Sequence, residues 1–91
     1  MSKMRVERID DSEIEKRGIR SWPVWEKGVS KFDWSYGEKE TCYILEGRAR
    51  VMSSDGQEKI EFAQGDLVTF SEDLECRWDI IEPIKKHYRM G

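Results

Sequence analysis

The chain has 91 residues, 38% of them charged and 37% hydrophobic, and a formal net charge of −3. Its 16 basic and 19 acidic side chains are interspersed, which excludes the concentrated basic footprint that nucleic-acid affinity requires. No run approaches the ~20 apolar residues of a membrane span, and no apolar N-terminal stretch reads as a signal peptide, so a cytoplasmic protein is expected.

That length suits one domain over residues 1–91, able to bury about 60–65% of its unfolded surface. Four Trp, three Tyr and three Phe must then carry much of the core, because each aromatic can bury roughly 150–250 Å².

Met4 to Ile9 alternates apolar and charged residues, the mark of an opening strand. Asp11 to Gly18 has a capping Asp or Ser, acids in its first turn, bases in its last and a terminal glycine, predicting one or two helical turns of little consequence for packing. From Ile19 onward every segment has strand length, with turn signals at the ~8–12-residue spacing of a barrel or sandwich.

Pro23, between Trp22 and Trp25, belongs at a strand edge or bulge, and Glu26-Lys27-Gly28 makes a turn. Ser30 to Tyr36 puts Phe32, Trp34 and Tyr36 on one face, and Glu40 to Glu46 puts Glu40, Cys42 and Ile44 on one face. Arg48–Ser53 and Gln57–Phe62 bracket Asp55-Gly56, a strong hairpin signal. Leu67 to Phe70, Cys76 to Ile80 and, past Pro83, Ile84 to Tyr88 complete the strands. Together they predict an all-β antiparallel barrel with an interior pocket and a short N-terminal helical turn.

The stretches Phe32-Asp33-Trp34, Glu40 to Gly47, Gly65 to Phe70 and Cys76-Arg77-Trp78 resemble the cupin superfamily. More narrowly, they resemble the small single-domain cupins related to the cupin domain of ureidoglycine aminohydrolases. The resemblance covers residues 20 to 88 and implies a double-stranded β-helix, or jelly-roll barrel. In metal-binding cupins a first motif supplies two His and a Glu, and a second supplies a third His. Glu40 and Gly47 stand at the family spacing, but the histidine positions fall on Trp34 and Tyr36, or on Asp33 and Ser35 in the longer variant. Gly65 matches the second motif, whose later positions hold Ser71, Asp73, Cys76 and Ile80. A first-row metal wants at least three His, Cys, Asp or Glu ligands. No cofactor is therefore expected, and if a divalent metal binds, Glu40, Cys76 and His87 are its ligands.

Glu40 points inward by strand parity, as a tentative catalytic acid/base or ligand anchor, or as a structural carboxylate bonded to Tyr36, a Trp N–H or a basic residue of the last strand. Cys42 and Cys76 read as free core thiols, since a chain without a secretory signal favours reduced cysteine. Lys85, Lys86, His87 and Arg89 read as a solvated strand end.

The resulting expectation is a binder of a small polar or planar metabolite. Trp34, Tyr36, Cys42, Cys76 and Trp78 wall its pocket, with Glu40 anchoring a donor or cationic group of the ligand beside a degenerate metal site. Two alternatives stand beside it: a metal-dependent, aminohydrolase-like enzyme acting on a small nitrogenous metabolite, and a domain whose business is dimerisation. A homodimer is compatible with each, because exposed barrel edges pair readily.

Overall fold

The structure is a computed structural model that describes residues 2–91. Its strands are β1 (Met4–Arg8), β2 (Val24–Lys27), β3 (Ser30–Ser35), β4 (Glu40–Ser53), β5 (Lys59–Ala63), β6 (Asp66–Phe70) and β7 (Glu75–Met90), with an α-helix, α1 (Asp11–Arg17), and a short 3-10 helix, Ile19–Ser21, among the described residues. All recorded pairings are antiparallel.

Two long strands organise everything else. β4 and β7 pair from Glu40↔Met90 to Ser53↔Cys76, with an interruption near their middles. On one half of this ribbon β6 adds to β4 and β2 to β7; on the other half β5 adds to β4 and β3 to β7, while β1 extends β6. The seven strands thus form one antiparallel sheet folded across its middle. This is the expected all-β cupin fold.

The fold line corrects the sequence reading, which ends strands at Glu46 and Ile80. The chain instead runs through both breaks, with register shifts from Ile44 to Ala49 on β4. Gly47 lies at φ +95°, and a Cβ there would come within 2.0 Å of the Pro83 carbonyl oxygen. Bare Cα and strained φ let the backbones close on each other while the ribbon bends. Pro83 sits where the ladder is already interrupted and no N–H donor is needed.

Between the folded halves lies the main core, with Trp78 at its centre. Its indole stacks on Phe32 at 5.8 Å and meets Phe62 edge-on at 5.5 Å and Phe70 at 5.6 Å. These inward positions follow from the two-residue period of each strand.

Outside the folded sheet sits a second small core, in which Ile14, Ile19 and Leu67 are buried and Trp22 and Tyr43 pack around them. Two helix expectations are corrected here. The cap is Asp10, one residue earlier than expected, its side chain accepting from the Glu13 N–H at 2.9 Å. Through Ile14, α1 also packs against the outer face of the sheet. Among the described residues no helix is long and apolar enough to cross a membrane.

Candidate functional site

At one mouth of the folded sheet the core opens into a cavity of about 240 Å³. Its walls are aromatic. β3 and the residue that follows it contribute Phe32, Trp34 and Tyr36, β2 contributes Trp25, and β7 contributes Trp78 and Tyr88. Two charged groups also line it, Glu40 at the start of β4 and Lys86 on β7.

Lys86 is a correction to the sequence reading. Rather than a solvated strand end, its side chain is 6% exposed, and its Nζ donates to Glu40 Oε2 at 2.6 Å, with Glu40 itself 8% exposed. Parity accounts for this, because Ile84, Lys86 and Tyr88 alternate with Lys85 and His87 along β7. The ammonium also lies over two indoles, 4.8 Å from the Trp25 ring centre and 4.9 Å from that of Trp78. Opposite charge and two π faces together replace the water that Lys86 forgoes.

Among the described residues no fully buried side-chain nitrogen or oxygen is left without a hydrogen-bond partner. The Trp78 Nε1–H donates to Tyr36 Oη at 3.2 Å, and the Tyr36 ring stacks on Phe70 at 4.8 Å. Burial, and then the nearby Glu40 carboxylate, push the Tyr36 phenol above its ordinary pKa, so it stays protonated. Cys42 lies behind the lining, fully buried. Burial pushes its thiol up to about 12, with Lys86 pulling down and Glu40 pushing further up. Burial likewise pushes Cys76 up to about 11. Both cysteines are free and buried, and protonated thiols are poor nucleophiles.

Of the six residues expected to wall the pocket, Trp34, Tyr36, Glu40 and Trp78 line the cavity. Cys42 and Cys76 stand behind the lining, the latter with its Sγ 3.6 Å from the Trp34 carbonyl oxygen. Lys86, Trp25 and Phe32 belong to the cavity but were absent from that expectation. Met90 also lines the cavity, and Trp34 is 52% exposed.

His87 faces the other side of the sheet. It pairs with Val24 and Tyr43, and its Nδ1 lies 2.9 Å from the Trp22 carbonyl oxygen; since a carbonyl only accepts, Nδ1 carries the proton. The three fallback ligands Glu40, Cys76 and His87 are therefore not brought together. Among the described residues no three His, Cys, Asp or Glu side chains cluster as a metal site.

The donor set does not fit the divalent ion that the cupin resemblance implies. A metal on Glu40 would bond the carboxylate at about 2.0–2.2 Å, where an ammonium already sits at 2.6 Å. Trp34 and Tyr36 at the histidine positions offer no imidazole in its place.

A family model described as a EutQ-like cupin domain matches residues 14–88. None of the curated proteins matches the chain. Among solved structures, a DUF861 family protein from Thermotoga maritima is 44% identical with a TM-score of 0.93, over 97% of this chain and 99% of that one. The Clostridium difficile EutQ protein is 16% identical with a TM-score of 0.66, over 74% of this chain and 52% of that one. A Pseudomonas syringae protein of unknown function, also of the DUF861 family, is 18% identical with a TM-score of 0.67, over 99% of this chain and 32% of that one; at such identities these two share the fold alone. The family match spans most of the chain, and the Thermotoga protein matches it from end to end, so the chain belongs to the EutQ-like cupin family.

Proposed function

We propose that this cupin binds a small planar metabolite in the aromatic cavity and that its former metal position is degenerate. One observation carries the reading: a cavity with indole and phenol walls ends on a buried, internally neutralised ion pair, Glu40–Lys86. An aromatic enclosure with a few convergent polar groups is the usual make-up of a small-molecule site. Its volume of about 240 Å³ exceeds the ~150 Å³ of an apolar cavity known to take benzene, so one substituted ring is accommodated. Lys86 replaces the metal as the cation on Glu40, which supports binding over metal-dependent hydrolysis.

Ligand screening by tryptophan fluorescence tests this, because Trp25, Trp34 and Trp78 all border the cavity. A planar ligand is expected to change the emission saturably, and Trp25→Ala to weaken its binding. Near-stoichiometric metal in protein purified without chelators, lost in Glu40→Ala, would instead establish the metalloenzyme alternative.

A further inference from the structure

The hydrogen-bonding capacity left over at the base of the cavity is unequal in sign. Glu40 is an acceptor used on one side: Oε2 takes Lys86, and only Oε1 is left without a donor among the described residues. Lys86 is a donor only partly used, because an ammonium has three N–H groups and only the one on Glu40 has an oxygen acceptor among the described residues. Tyr36 Oη accepts from Trp78 Nε1, while its own proton has no acceptor among the described residues. Two N–H groups of Lys86 and the Tyr36 O–H thus stand against one free oxygen of Glu40, and the site is short of acceptors.

Charge narrows the ligand further. Glu40 and Lys86 sum to zero in a place where both are more than nine-tenths buried. A ligand bearing either charge would leave an uncompensated ion beside aromatic walls, which is costly. We infer that the cavity takes an uncharged planar ring whose carbonyl oxygen accepts from the Lys86 ammonium and the Tyr36 hydroxyl. This reverses the polarity expected from sequence, in which Glu40 anchors a donor or cation, and it rests on the pocket reading above.

Three probes of similar shape separate the cases: acetophenone, neutral with an acceptor and no donor; benzoate, anionic; and benzylammonium, cationic. Each is titrated into the full chain while the indole N–H signals of Trp25 and Trp78 are followed by NMR. Acetophenone is expected to bind tightest, and Tyr36→Phe, which keeps the ring and its stacking, to weaken it about three- to tenfold, the effect of one lost hydrogen bond. Lys86→Met should weaken it by at least as much, and Tyr36→Phe keeps the test open if that variant does not fold. Tighter binding of benzylammonium or of benzoate overturns the inferred polarity while leaving the pocket reading standing. Acetophenone binding unmoved by Tyr36→Phe also overturns it. If none of the three shifts the indole signals of the folded protein, the pocket reading falls as well.

Discussion

Lys86 reaches Glu40 across the β4–β7 ladder although its direct partner there is Ile44, four residues further along β4 than Glu40. The lysine stem therefore runs along the inner face of the sheet, and its ammonium ends between two indoles and a carboxylate. Burying two charges costs solvation that the mutual attraction only partly returns. The pair is best understood as specifying the site, with its stability visible only when one member is lost.

Removing one member should accordingly be far worse than removing both. Lys86→Met is expected to destabilise the fold by about 3–5 kcal/mol, because it leaves a buried, uncompensated carboxylate. Glu40→Gln with Lys86→Met should recover most of that loss. Urea denaturation of the wild type, the two single variants and the double variant measures the coupling; additive losses would show that the two groups do not act as a pair.

The cysteines set a sign for alkaline pH. Cys42 rises from an ordinary 9.0 to about 12 on folding, so the native state favours the protonated thiol. That contribution is fully present below about pH 9 and is lost as pH climbs towards 12, at no more than about 1.4 kcal/mol per unit. Stability curves from pH 8 to 11 should fall less steeply in Cys42→Ala than in the wild type. A thiol reagent at pH 8 should label neither Cys42 nor Cys76 until the protein is unfolded.

Gly47 and Gly56 separate backbone strain from steric closure. Both have positive φ, +95° and +74°, but a Cβ at Gly56 meets nothing within 4 Å, whereas at Gly47 it strikes the Pro83 carbonyl. Gly56→Ala should cost about 1–3 kcal/mol. Gly47→Ala should cost clearly more, or prevent folding, as thermal melting of the two variants would report.

Trp78 and Trp34 face the same cavity with opposite structural weight. Trp78 is 1% exposed and Trp34 52%. Trp78→Ala should destabilise by about 3–5 kcal/mol, and Trp34→Ala should change stability by no more than about 0.5 kcal/mol. A large loss in Trp34→Ala would mean that the rim closes over this side chain.

Much of the fold was legible from alternation alone. Phe32-Trp34-Tyr36 and Glu40-Cys42-Ile44 face the interior as their period requires, and Asp55-Gly56 turns β4 into β5. The site was legible in part. Lys86 sits in a run of charged residues, and composition concealed what parity with Ile84 and Tyr88 would have revealed. Trp25 and Phe32 join the cavity through cross-strand partners on β7, Lys86 and Trp78. Such long-range register is not a property of either local segment. The continuity of β4 and β7 was hidden for a related reason: a glycine and a proline are each a local stop signal, and only their meeting turns two stops into one bend.

That bend has a kinetic consequence. Because β4 and β7 are common to both halves of the sheet, neither half is a sequence-local unit that could form first and template the other. Every rung of the ladder, from Ser53↔Cys76 to Glu40↔Met90, joins residues far apart in the chain, so loop closure must precede the contacts that reward it. High contact order of this kind places folding in the millisecond-to-second range typical of all-β domains. Its transition state should already contain the central β4–β7 pairing, with β1 and α1 added late.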